Sequence, residues 1–288
     1  MSTSSPLPPP LTVIFLTFNS ADVIAQVVDA VKPIAARILA IDSFSTDSTV
    51  AILTERGCEV LSHPFENYAA QRRWAQAQAA LAPDAWVLHL DADEVVTPEL
   101  ATSIRAALAA PTADGYLMRR ITHFLGKPIR YGHMNPNWHL RLYRAGKGQI
   151  EDRLYDQHFC CSGTTAQLKG VMLDLQLLSI ERWTTTHNRW STAEAEEIIA
   201  AEGIRTGQLN ESLTGDPRER KRWMKNRLYY KAPLLFRAFL FFGYNYIFKR
   251  GFLDGKVGLI YHVLHAFWFR FLVDAKVAER RMQQTGRH

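Results

Sequence analysis

Ala85-Trp86-Val87-Leu88-His89-Leu90-Asp91-Ala92-Asp93-Glu94 is an apolar run that ends in three closely spaced carboxylates. Its apolar residues suit a strand covered on both faces, and the two-residue period of an extended chain sends Asp91 and Asp93 to the same side. Such a pair at a strand end suits a hard divalent cation, Mg²⁺ or Mn²⁺, which completes its shell with water and substrate phosphates. A purely structural alternative exists, because acids after a strand often cap the next helix. Thr97-Pro98-Glu99 supplies a good helix start just beyond.

The 288 residues, 47% of them hydrophobic, suffice for one large core plus an appendage and exclude a disordered chain. The three cysteines, Cys58, Cys160 and Cys161, form neither a disulfide framework nor zinc-ligand spacing, which fits a reducing cytoplasm. Met1 to Pro10 is rich in Ser and Pro, with no basic or apolar leader pattern, so residues 1–10 are expected to be a short disordered lead. The net charge of +6 suits nucleic acid or an anionic membrane equally, so its position matters more than its sum.

Outward from the acidic run, strand-like and helix-like patterns alternate at the spacing of βαβ units. Leu11 to Phe18 is β-branched and aromatic, and Asn19-Ser20 offers caps to a helix from about Asp22 to Val31. Arg37 to Ile41 reads as the second strand, ending at Asp42, and the polar turn Ser43 to Asp47 leads into a helix closed by Gly57. Cys58 to Leu61 is a third strand, followed by a helix from about Tyr68 to Leu81. The fold class is therefore α/β, a mostly parallel sheet with helices on both faces. In such sheets ligands bind outside the carboxyl ends of the strands, where Asn19, Asp42 and Asp91 fall. No dinucleotide or P-loop motif is present.

Thr17-Phe18-Asn19, then Asp42-Ser43-Phe44-Ser45-Thr46-Asp47-Ser48-Thr49, then Leu90-Asp91-Ala92-Asp93-Glu94 resemble, in order and spacing, the successive signatures of family 2 glycosyltransferases of GT-A fold. Tyr116 to Arg120, Phe124-Leu125-Gly126, Arg141-Leu142-Tyr143-Arg144, Asn188 to Ser191 and Gly251 to Gly255 are similar to the branch that includes lipopolysaccharide core β-glycosyltransferases. The resemblance runs from about Leu11 to Lys276. It implies a catalytic domain over 11–178 and a helical region over 179–288.

The resemblance implies that Asn19 and Asp42 hold the nucleotide base and ribose of a uridine diphosphate sugar, roles that suit an amide and a carboxylate. Helix capping is the alternative for both; at Asn19 cap and contact can coexist, and the strand-end place of Asp42 favours binding. Asp47 reads as a cap or loop brace. Asp91 and Asp93 resemble the metal-binding pair, whose Mg²⁺ or Mn²⁺ would span the diphosphate and neutralise charge on the departing nucleotide. Arg72 matches a family position near the diphosphate, although an Arg on an amphipathic helix is often a solvated charge.

An inverting transfer needs a base within reach of the acceptor hydroxyl. The family places a His-Glu pair after an Asp-Arg-Leu stretch, but here Asp152-Arg153-Leu154-Tyr155 is followed by Asp156-Gln157-His158, and Gln157 cannot accept a proton. A later His of the pattern stands as Asp174. Asp156 is the favoured base; His158, a shifted register and a catalytically impaired chain are the alternatives, and Asp156 also suits a plain turn. An ionised polyprenyl phosphate acceptor would need no base. A non-catalytic scaffold that only binds nucleotide sugar is the rival from another class.

Glu181 to about Gly203 reads as one long helix with Trp183, His187 and Trp190 on one side, a pattern of core packing. Arg218, Arg220, Lys221, Arg222, Lys225, Arg227, Lys231 and Arg237 then form a basic stretch leading into the aromatic run Leu234 to Phe248. Neither that run nor Val257 to Phe269 reaches the roughly 18 uninterrupted apolar residues of a spanning helix. The expectation is an amphipathic, peripheral region on the inner face of the cytoplasmic membrane, its charges meeting anionic head groups. Packing on the catalytic domain with solvated charges is the alternative. No nucleic-acid-binding motif accompanies the charge. The expected partners are a nucleotide-sugar donor and a glycolipid or lipopolysaccharide-core acceptor.

Overall fold

The first strand, β1 (Leu11–Thr17), is buried along its whole length and lies between β2 (Arg37–Asp42) and β4 (Trp86–Asp91), parallel to both. The computed structural model of the chain describes residues 10–133, 135–152, 157–176, 179–200 and 212–285. Alternate side chains of β1 feed two cores. Leu11, Val13 and Phe15 pack with α1 (Ile24–Val31) and α4 (Pro98–Ala109), whereas Ile14 and Leu16 pack with α3 (Tyr68–Ala79). That two-faced burial is what the continuous apolar run requires. In α1 the residues Ile24, Val27, Val28 and Val31 are buried, the single face of a helix spaced by three and four. Asn67 caps α3 by accepting from the Ala70 N–H, and Thr97 caps α4 by accepting from that of Leu100.

Parallel order holds through β3 (Glu59–Ser62), β2, β1 and β4, with α2 (Thr49–Glu55) between β2 and β3. Beyond β4 the sheet is mixed. β5 (Glu94–Val96), β6 (Gly115–Phe124), β7 (Lys127–Pro128), β8 (Asn137–Arg144) and β11 (Thr165–Gln176) complete it, and β9 (Gly148–Ile150) and β10 (Phe159–Cys161) form a separate hairpin. β8 runs antiparallel to β4, and β11 runs antiparallel to β5 with Asp174 opposite Glu94.

The chain divides into two compact units. The first is Met1–Ile121 with Trp138–Glu151 and His158–Leu175; the second is Thr122–Asn137, Asp152–Gln157 and Gln176–His288. Helices α5 (Ile180–Ala200), α6 (Pro217–Met224), α7 (Phe236–Gly243), α8 (Gly255–Tyr261) and α9 (Phe269–Thr285) build the second unit around Phe124, Ile129, Trp183 and Tyr261. Trp183 and His187 are buried and stacked at 3.4 Å between ring centroids, the packing their spacing predicts. The buried His262 ring lies against Gly132 and Gly251, where an added Cβ would come within 2.4 Å of it.

Two expectations for this region change. Arg218, Arg222 and Arg237 of the basic stretch are buried and not solvated. Arg218 pairs with Asp216 at 2.7 Å, Arg237 Nε donates to buried Asp274 at 2.8 Å, and Lys225 lies 3.1 Å from buried Glu194. Their acidic partners come from other helices or from the cap of α6, which a linear charge count cannot show. The chain over Gly251–Gln284 also forms one 34-residue helical run containing an 18-residue window of mean hydropathy 1.2. The stretch Val257 to Phe269, too short to span by itself, is extended because π-helical turns at His262–Trp268 join α8 to α9. By length and composition this run could cross a membrane, although only 39% of that window is buried within the protein.

Burial holds the imidazoles of His133, His187, His262 and His265 neutral, and it lowers the pKa of His187 to about 4. An unfolded His takes its proton near 6.5, so the stability these groups contribute is complete above that pH and is lost as pH falls from about 6.5 toward 4. His187 alone should make the protein about 2 kcal/mol less stable at pH 5 than at pH 7.5 in thermal and urea melts, and the other three histidines add loss in the same direction. The slope should be shallower in His187→Phe, which keeps the stack on Trp183. Identical stability at both pH values would contradict the assignment.

Candidate active site

The carboxyl ends of β1 and β2 are tied together by a network of short polar side chains. Asp42, 1% exposed, accepts from Thr17 Oγ1 at 3.2 Å, from Ser45 Oγ at 2.5 Å and from the Ser45 N–H at 2.8 Å. Asn19 adopts a φ of 46°, a left-handed conformation that Asn tolerates, and its Oδ1 accepts from the Thr46 N–H at 2.8 Å while its own N–H donates to Ser45 Oγ. Asp47 accepts from the Ala21 N–H at 3.1 Å and the Thr49 N–H at 2.9 Å. Burial pushes the Asp47 carboxyl up, but these bonds and that from the Thr49 hydroxyl hold it below its ordinary value. Asp47 is thus the loop brace its position suggests. Asp42 shares in that bracing, each of its oxygens accepting a hydrogen bond within the protein.

Two aromatic rings at these strand ends join the site without having been expected there. Phe18 is 59% exposed and Phe44, at a φ of 60°, is 60% exposed. Large apolar rings held out to water directly after two parallel strands are a signal in the sequence itself, since each follows a strand-end polar position.

A second cluster lies at the end of β4. Arg72 of α3 is 3% exposed, bonds Asp91 Oδ1 through its guanidinium and donates to the Leu90 carbonyl at 3.0 Å. Its Nη1 lies 3.3 Å from His89 Nδ1, in a ring packed against Tyr143 and Phe159. Arg141 lies on β8 just beyond the Leu88–Leu142 pair, and its Nη2 donates to Asp91 Oδ2 at 2.7 Å and to Glu94 Oε1 at 2.6 Å. Burial would raise the Asp91 pKa, but the guanidiniums of Arg141 and Arg72 hold it well below the usual carboxylate range. Arg72 is therefore a buried, paired charge and not a solvated one. Arg141 is a site residue that strand pairing reveals and its motif alone does not.

Asp93 is the exception in this cluster. β4 ends at Asp91 and Ala92-Asp93 is a turn, so the alternation expected to set Asp91 and Asp93 on one side stops short of Asp93. Both Asp91 oxygens bond guanidiniums, Oδ1 that of Arg72 and Oδ2 that of Arg141. The Asp93 carbonyl instead accepts from the Leu175 N–H at 2.9 Å, which sets it beside Asp174. Burial first, then the charges of Asp174, Asp91 and Glu94, push the Asp93 carboxyl well above the usual range. Arg120 is shared between Glu94 at 3.5 Å and Asp174 at 3.7 Å. Among the described residues, these four carboxylates meet three guanidiniums, those of Arg72, Arg120 and Arg141. Among the described residues no group of three or more His, Cys, Asp or Glu is arranged to hold a metal by itself.

Asp156, the expected base, lies outside the described residues. His158 lies just before β10, where its N–H donates to buried Glu151 at 3.0 Å and its ring stacks on His139 at 6.3 Å.

The glycosyl transferase family 2 model matches residues 12–172. An uncharacterized glycosyltransferase of Rickettsia felis is 34% identical over 203 residues, which cover 66% of this chain and 70% of the relative. One from Rickettsia conorii is 33% identical over the same shares. Among solved structures, glucosyl-3-phosphoglycerate synthase from Mycobacterium tuberculosis in complex with Mn²⁺ and uridine-diphosphate-glucose is 21% identical, with a TM-score of 0.32 over 40% of this chain. The chain spans 44% of that structure's length.

Replacing Arg141 by Gln leaves Glu94, which is fully buried, and Asp91 without their shared partner. Breaking a buried pair from one side costs about 3–5 kcal/mol. Urea denaturation of Arg141→Gln should show a loss of that size, whereas a loss under about 1 kcal/mol would show the pair to be solvated and weak.

Proposed function

Because the chain belongs to glycosyl transferase family 2, we propose that it transfers a sugar, with inversion, from a uridine diphosphate donor to a lipid-linked or lipopolysaccharide-core glycan. The observation that supports this reading is the cluster of Asp91, Asp93, Glu94 and Asp174 just beyond the carboxyl end of parallel β4, where such folds bind ligands. Asp93 and Asp174 would hold Mg²⁺ or Mn²⁺, a hard cation that typically takes one or two carboxylates and completes its shell from phosphates and water. When bound, that cation supplies Lewis-acid stabilisation of the departing diphosphate.

The chain's own residues set the rest. Arg72 and Arg141 fix Asp91 and with it the turn that presents Asp93. The braces at Asn19, Asp42 and Asp47 hold the loops from which Phe18 and Phe44 offer flat apolar faces to a base, and the polar groups of Asn19 and Asp42 lie beside them. Asp156 is the proposed base that takes the acceptor proton. Gln157, standing where the family has a carboxylate, favours one second reading, transfer to an already ionised polyprenyl phosphate.

Donor turnover, followed as free nucleotide with and without membrane extract, should require a divalent cation. It should fall about a hundredfold or more in Asp93→Asn, with the fold kept. Asp156→Asn should lower transfer to a hydroxyl acceptor and leave donor binding intact. Full activity in excess chelator would overturn the metal reading, and parent-rate transfer by Asp156→Asn would move the base elsewhere or favour the phosphate acceptor.

A further inference from the structure

The second unit carries an exposed apolar surface that none of this chemistry uses. On α7 and the π-helical turns that follow it, Phe236, Phe239, Leu240, Ile247 and Phe248 face outward, with Phe248 78% and Ile247 61% exposed. Arg237, Ala238 and Asn245 of the same run are buried, so the helix has one inner and one outer side. Leu253, Leu259 and Ile260 continue the outward apolar residues along the returning helix. Ring contacts of Phe239 with Phe267 at 4.8 Å and of Tyr246 with Phe252 at 6.3 Å join the two helices, so their outer sides form one face.

The exposed charge along this segment is almost all of one sign. Arg227, Lys231, Lys249, Arg250 and Lys256 are exposed. Between Lys225 and Val273 the only acid is Asp254, and its carboxylate accepts from the Arg130 N–H at 3.1 Å and the Tyr131 N–H at 3.0 Å. Exposed aromatic and aliphatic side chains ringed by basic ones, with no free acid among them, complement a surface that is apolar within and anionic at its boundary.

We propose that this face docks on an anionic lipid bilayer, with the two helices lying along the headgroup boundary. The rings and aliphatic chains enter the acyl edge, and the Lys and Arg side chains meet lipid phosphates. The inner side of the long helix is committed to its own unit, since Asp274 is fully buried against Arg237 and Arg270 donates to Glu194. That commitment favours lying on the membrane over crossing it. A second copy of the chain fits less well, because two such faces brought together would oppose like charges, and Lys is depleted in protein interfaces. The proposal does not depend on the catalytic reading.

The test is flotation of the full chain with vesicles of phosphatidylcholine alone or mixed with phosphatidylglycerol. Binding to the mixed vesicles should exceed that to the neutral ones by about tenfold or more and should weaken as salt is raised. Ile247→Ser/Phe248→Ser/Leu253→Ser should abolish flotation with an unchanged melting temperature. Lys249→Gln/Arg250→Gln should lose only the preference for phosphatidylglycerol. If the triple variant melts early, Phe248→Ser alone replaces it, since that ring is the most exposed of the set. Flotation of the variants at the parent level, or no flotation of the parent, overturns the proposal. So does a dimer that the triple variant dissolves while neither protein binds vesicles, since a second copy would then cover the face.

Discussion

Charge balance around Asp91 is the constraint on which the first unit depends. A carboxylate at the end of a buried strand is costly unless paired, and here Arg72 from α3 and Arg141 from β8 meet it from two different elements. Both guanidiniums are themselves desolvated, so each needs Asp91 as much as Asp91 needs them. The result ties α3, β4 and β8 into one arrangement around a charge. It also splits the acidic run into two roles. Asp91 and Glu94 bond guanidiniums within the protein, and Asp93 is delivered by the turn to a place beside Asp174.

That division explains what could be read from the chain and what could not. Burial of β1 on both faces, the stripe of α1, the caps at Asn67 and Thr97, and the strand ending in acids all follow from local periodicity and capping chemistry. Arg72 could not be read the same way, because a helical pattern does not say which polar residue turns inward, and its partner Asp91 lies 19 positions on. Alternation fails at Asp93 for a reason equally local: a period of two holds only while the chain stays extended, and the strand stops at Asp91. The bracing role of Asp42 was not legible, because the hydroxyls of Thr17 and Ser45 and the Ser45 N–H that bond it are gathered by the pairing of β1 with β2 and by the turn after it.

The second unit shows the same limit for charge. The basic stretch from Arg218 to Arg237 is uniform on paper, yet folding sorts it into buried arginines paired with acids such as Asp216 and Asp274, and exposed ones such as Arg227. What remains outside is a smaller set of cations around an aromatic face. Net charge is therefore a poor guide to partners, and the position of each cation after folding a better one.

If Asp93, and not the neutralised Asp91, is where a cation balances the site, then metal affinity should follow that one side chain. Calorimetric titration of Mn²⁺ in the presence of uridine diphosphate decides this, comparing the parent chain with Asp93→Asn. The parent should bind Mn²⁺, and Asp93→Asn, although folded, should not. Binding by Asp93→Asn with the parent's affinity would contradict the assignment of the cation to Asp93.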